Sequence, residues 1–166
     1  MKWVVIGLVL VGALVALVAF IGSRLPQSHR ASIEQTLPAA PEAVWRTITD
    51  IDAFPSWREG LKRVQRLPDR DGLPVWAEEG RSGKMTLAVE RLEAPHLLIG
   101  RIADPGLPFG GTWTYEIAPA SSGSRLRITE DGEIYNPVFR FMARYIFGYE
   151  GTIRSYMTSL QKRLGQ

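Results

Sequence analysis

The chain has no cysteine and only two histidines, His29 and His96, among its 166 residues. Disulfides and thiolate-built metal sites are therefore excluded. Neither histidine has a second one at ligand spacing, so no metal is expected. His29 reads as a solvated or interfacial residue, and His96, directly after Pro95, as part of a turn. No Gly-x-Ser-x-Gly elbow and no phosphate loop is present. The glycines between Gly106 and Gly111 are set among Leu, Pro and Phe, without the Lys-Ser/Thr that phosphate binding needs. Internal repeats and low-complexity tracts are missing too. So is any long run of one charge sign: Lys2 and Arg24 aside, 18 basic residues face 17 acidic ones, interspersed along the chain. The densest basic cluster, Lys62, Arg63 and Arg66, reads as a solvated strand edge, and no nucleic-acid partner is expected. These absences leave no catalytic residue and no cofactor assigned.

What the chain does have is an apolar run. Residues 3–22 carry no charge, with Lys2 before them and Arg24 after. Twenty residues at about 1.5 Å each make a helix of about 30 Å, the thickness of a bilayer's hydrocarbon core. A cleaved signal peptide has a shorter core, about 7–15 residues, and ends in a small-x-small site. Here the run ends in Phe20-Ile-Gly-Ser-Arg24, with bulky residues where small ones are wanted. An uncleaved membrane anchor is the expectation, with Trp3 suited to the boundary. Lys2 and the terminal amine balance Arg24 and Arg30, so the side of the membrane stays open. The organisation read from this is an anchor over 1–24, a short linker over 25–29 and one domain over 30–166.

Within the domain, residues 30–37 alternate as a strand and Pro38 to Pro41 ends it. Pro41 opens a short helix that sets Val44, Trp45 and Ile48 on one face. A second short helix or turn follows over 50–57. Strands are expected at 61–68, 73–79, 84–93, 96–103, 111–118 and 124–135, separated by turn-like sequences such as Asp69-Arg-Asp-Gly72 and Ser121-Ser-Gly123. Such short connections imply an antiparallel meander. Asn136 can cap a last helix with Pro137 in its first turn. Its apolar stripe runs from Phe141 through Tyr145, Tyr149, Ile153 and Leu160 to Leu164, with Gly148 and Gly151 able to bend it.

The strands are two-faced. Met85, Leu87, Val89, Trp113, Tyr115, Ile117, Leu126, Ile128 and Ile134 share the apolar side; Lys84, Thr86, Glu90, Arg125 and Arg127 share the other. Glu130 falls on the apolar side by parity. A buried carboxylate needs a partner or a proton. Arg58, Arg101 and Arg140 are the candidate partners; the pair would be structural, or Glu130 would be a polar anchor for a ligand's head group or an acid/base, and a bulge near Gly132 would flip the parity.

The residues Ala40-Pro-Glu-Ala-Val-Trp45 and Asp50-Ile-Asp-Ala-Phe-Pro-Ser-Trp-Arg58, in this order of elements, resemble the START/Bet v 1-like (SRPBCC) superfamily, labelled polyketide cyclase/dehydrase and lipid transport. Leu107-Pro-Phe-Gly-Gly-Thr-Trp-Thr-Tyr115 and Asn136-Pro-Val-Phe-Arg-Phe141 resemble its membrane-anchored bacterial subgroup. The likeness covers about residues 30–164. It implies an α+β helix-grip fold: a curved seven-stranded antiparallel sheet, two short helices and a long C-terminal helix, preceded here by the transmembrane helix. It also implies a cavity between sheet and helix that holds a lipid or other hydrophobic small molecule. The candidates to line it are Trp57, Met85, Leu87, Val89, Arg101, Trp113, Tyr115, Ile128, Glu130, Tyr145 and Tyr149. Three functions remain open: a membrane-tethered carrier, an enzyme of cyclase or dehydratase type, and an interaction module with a filled core. Cavity volume separates the third from the others, and convergent titratable groups separate the second from the first.

Overall fold

Lys2–Ser23 forms a single helix, α1, in which nothing interrupts the backbone ladder. In the computed structural model, which describes residues 1–81 and 83–165, it is the one helix long and apolar enough to cross a membrane. The remaining elements follow the turns in the sequence. They are β1 (Ser28–Leu37), α2 (Pro41–Thr49), a 3-10 turn (Ile51–Ala53), α3 (Phe54–Trp57), β2 (Leu61–Arg70), β3 (Leu73–Gly80), β4 (Gly83–Glu93), β5 (Leu97–Ile102), β6 (Phe109–Ala120) and β7 (Gly123–Ile134). Three helical pieces close the chain: α4 (Pro137–Met142), a π-helical turn (Ala143–Phe147) and α5 (Gly151–Leu164).

The seven strands form one antiparallel sheet in the order β1-β7-β6-β5-β4-β3-β2. β2 to β7 are a meander, and β1 pairs with β7 from Ser28↔Glu133 to Leu37↔Ser124. No bulge interrupts β7, so the parity of Leu126, Ile128 and Glu130 holds to the strand's end. This is the expected helix-grip architecture. β1 starts at Ser28, two residues before the strand start expected at residue 30.

α5 is what the sheet grips. Ile153, Tyr156, Met157 and Leu160 recur at helical spacing and pack on Leu37, Ile117, Leu126 and Ile128, with Val44 and Ile48 of α2 closing one side. A second cluster, Ile51, Phe54, Trp76 and Val89, fills the opposite arm of the curve.

The stripe expected to form one helix from Asn136 onward is broken. Asn136 does cap α4, accepting from the Val138 and Phe139 amides at 2.9 and 3.2 Å. The ladder then widens into the π turn and stops at Gly148, whose φ of 73° and ψ of 174° lie in a region open to glycine almost alone. α5 restarts at Gly151. The C-terminal helix that lies on the sheet is therefore α5, and Pro137–Phe147 is a separate flap.

Candidate functional site

Between the two clusters the space is open. A cavity of about 580 Å³ lies under the flap, walled by the concave face of the sheet. Its walls are mostly apolar because the inward parity of each strand is apolar: Met85, Leu87 and Val89 from β4, Leu98 and Ile102 from β5, Ile134 from β7. Gly100 leaves a dent in β5, where an added Cβ would meet only the Ala88 carbonyl at 3.9 Å.

Polar groups gather in one place. Arg58, just past α3, donates to the Glu78 carboxylate, and the Trp76 indole N–H donates to the same oxygen at 2.9 Å. Trp76 and Glu78 are two apart on β3, so both point inward. The Arg58 guanidinium carbon lies 5.0 Å over the Phe54 ring and 5.3 Å over the Tyr156 ring. Burial disfavours the Arg58 charge, but the carboxylate of Glu78 outweighs it and the guanidinium's pKa is raised. Tyr115 of β6 and Tyr156 of α5 complete the group, ring centroids 5.6 Å apart. Burial raises both phenols, so both are neutral donors at any working pH. The cavity thus has apolar walls and a floor of hydrogen-bond donors with no net charge.

A second polar corner lies near the flap. The His29 ring stacks on Tyr149 at 4.2 Å and sits over Gly132, where a Cβ would come within 2.4 Å of it. Its Nε2 is 3.9 Å from Glu130. Burial lowers the His29 pKa against the pull of Asp131. Burial raises that of Glu130, opposed by the Trp113 indole across the strand pair. Around neutral pH the imidazole is neutral, and the carboxyl beside it is harder to ionise than an exposed one.

Of the residues singled out from sequence, Met85, Leu87, Val89, Trp113, Tyr115, Glu130 and Tyr149 border the cavity. Four do not. Trp57 lies behind the wall, edge-on to Phe54 and Tyr156, joining the two clusters. Ile128 is fully buried against α5 in solid core. Arg101 is on the outer face, paired with Glu90, because its neighbours Gly100 and Ile102 take the inward positions. Tyr145 points outward from the flap and is exposed. The arginine partner expected for Glu130 is also absent. Arg58 is taken by Glu78, Arg101 by Glu90, and Arg140 donates to the Leu25 and Tyr135 carbonyls. Sequence reasoning misses Glu78, Tyr156 and His29 as site residues. Glu78 is findable, since it shares parity with Trp76. His29 is not, because its position over Gly132 depends on the β1–β7 register.

The cavity's exposed rim includes Phe139 and Phe147 of the flap. Phe109↔Ile134 and Ser28↔Glu133 pair at this same end of the sheet, where α1 joins β1. The opening and the apolar helix therefore share one end of the molecule.

A family model described as polyketide cyclase / dehydrase and lipid transport matches residues 28–165. Solved structures with the same fold include a START superfamily protein from Mycobacterium smegmatis, at 16% identity over 84% of this chain and 97% of that one, TM-score 0.62. Norcoclaurine synthase from Thalictrum flavum is similar at 11% identity over 84% and 87%, TM-score 0.65. The di-domain ARO/CYC StfQ of the steffimycin biosynthetic pathway is similar at 11% identity over 84% of this chain, TM-score 0.67, and this chain spans 52% of its length. Comparison with curated proteins finds no match.

Proposed function

The chain belongs to the polyketide cyclase / dehydrase and lipid transport family, and on that premise we propose that it is a membrane-tethered binding or carrier domain for a lipid-like small molecule. The observation that carries this reading is the cavity itself. At about 580 Å³ it falls within the range of roughly 300–1,000 Å³ typical of small-molecule sites. Apolar walls suit a hydrocarbon or ring body. The floor of Arg58, Tyr115 and Tyr156 suits an oxygen-bearing end, a carbonyl, carboxylate or phenol, that accepts hydrogen bonds. In this reading residues 1–24 are the anchor and the domain begins at Ser28. The anchor keeps the cavity beside the membrane that supplies its ligand, which raises the effective concentration of encounter.

A second reading has one observation behind it. Neutral phenols beside an arginine can donate hydrogen bonds to an oxygen that gains charge, as a cyclase or dehydratase requires. The candidate base is the His29–Glu130 pair, across the cavity.

Native mass spectrometry of the full-length protein, extracted in detergent, tests the first reading. A bound small molecule of lipid-like mass, displaced by an apolar fluorescent probe, is the expected result. A protein that carries nothing and binds no apolar probe would overturn it. Turnover of the recovered molecule, lost in Tyr156→Phe while its binding persists, would move the assignment to the enzyme.

A further inference from the structure

The flap has a second face. Phe139, Tyr145, Ile146 and Phe147 are 50%, 59%, 59% and 70% exposed. One exposed apolar residue on a surface is ordinary; four large ones within nine residues, at the rim of an apolar cavity, form a patch that calls for a cover.

What lies beside the patch identifies the cover. α4 packs on the last turns of α1. On one side of α1, Gly22 is buried and Val18, Ala19 and Ile21 are half-buried. Gly22 is the point of contact: a Cβ there would lie 1.9 Å from the Pro137 carbonyl oxygen, so the two backbones touch. Val18 and Gly22 are about 6 Å apart along the helix axis. α4 is therefore level with the final turn of the apolar run. The chain between them is not a loose tether. Arg140 donates to the Leu25 carbonyl at 2.8 Å, and the Ile134 amide donates to the Gln27 carbonyl at 2.9 Å. An amphipathic segment resting in a membrane surface buries its apolar side about 5–10 Å into the boundary between headgroups and acyl chains. That is the depth at which contact with α1 holds this flap. Exposed Arg24 and Arg144 are placed to meet headgroup phosphates there.

We propose that Pro137–Phe147 lies in the surface of the bilayer that α1 enters, with Tyr145 and Ile146 immersed, so that the cavity opens into lipid and not into water. The inference rests on the reading of α1 as a membrane span. The occupant of the patch is lipid because α1, whose apolar side chains are exposed, packs directly on α4 at the start of the flap. A hydrophobic ligand then passes between leaflet and cavity beside Phe139 and Phe147 without crossing water.

The lack of cysteine makes the test direct. Three single variants of the full chain, Gly12→Cys, Ile146→Cys and Ser122→Cys, are labelled with an environment-sensitive fluorophore. Each is reconstituted in phosphatidylcholine vesicles carrying spin-labelled lipids. Gly12 is mid-α1 with open space around it, and Ser122 is in the β6–β7 turn at the far end of the sheet. The expected result is loss of emission at position 12 with deep spin labels, loss at 146 with shallow ones, and none at 122. Loss at 12 without loss at 146 overturns the flap's immersion and leaves the span standing. A blue-shifted but unquenched label at 146 has the same consequence and points to a protein cover. No loss at either 12 or 146 overturns the span, and the flap's immersion with it.

Discussion

Glu78 and Glu130 both point from the sheet into the concave space, and their surroundings treat them in opposite ways. Glu78 accepts from Arg58 and Trp76. Replacing it by Ala leaves the guanidinium without its partner. The cost of stranding a buried charge is about 3–5 kcal/mol, and partial exposure of Arg58 puts this case at the low end. Chemical denaturation of Glu78→Ala reads that loss, and Glu78→Ala combined with Arg58→Leu should recover part of it. Glu130 has no cation but a neutral histidine at 3.9 Å. Its folded pKa lies above the ordinary 4.5 because burial disfavours the charge. Its contribution to stability is thus full below pH 4.5 and lost as pH rises through the folded value. Glu130→Gln should leave stability unchanged near pH 4 and raise it near pH 8; a variant less stable at pH 8 would show that the carboxylate is paired after all. His29 has the opposite sign. Its folded pKa lies below 6.5, so protonation opposes folding and its contribution falls as pH drops below 6.5. In Glu130→Gln that acid loss stands alone. Alternation along β7 is enough to place Glu130 on the inner face. It does not say which arginine comes near, because Arg58 is positioned by α3 and Arg140 by α4, through contacts distant in sequence.

At the scale of elements, each strand is legible because turn residues punctuate the chain and each strand keeps its parity. The C-terminal stripe misleads. Apolar residues recur through the flap and α5 as if along one helix, but periodicity reports side chains and says little about backbone. Gly148 carries the break, at φ 73° with nothing within 4 Å of where a Cβ would stand. Strain, not crowding, is then what a side chain would meet there. Gly148→Ala is expected to cost about 1–3 kcal/mol. Gly151→Ala, three residues on within α5, should instead stabilise by up to about 1 kcal/mol, since alanine is the better helix former and the site is open. Thermal melts of the two variants rising together would mean that the flap and α5 form one continuous helix.

At the scale of the molecule, whether the sheet and α5 enclose solid core or a void is invisible to periodicity, because both need the same apolar faces. Trp113 and Tyr115 border the cavity, while Ile128, opposite Tyr115 in the β6–β7 pairing, is packed solid. What divides them is where α5 lies across the sheet. Gly100 tests the void most directly. It is buried, borders the cavity, and offers a new side chain almost no contact. In a filled core, Gly100→Leu would overpack at a cost of about 1–3 kcal/mol. In a void the leucine enters free space, and removing a mid-strand glycine recovers about 0.5–1 kcal/mol. The expected outcome is a melting temperature unchanged or raised, with binding of an apolar fluorescent probe weakened about tenfold or more, equivalent to about 1.4 kcal/mol. Marked destabilisation of Gly100→Leu, in a parent protein that binds no probe, would mean that the space is closed in solution. The domain would then be an interaction module with a filled core, and the carrier reading would fall with the cavity.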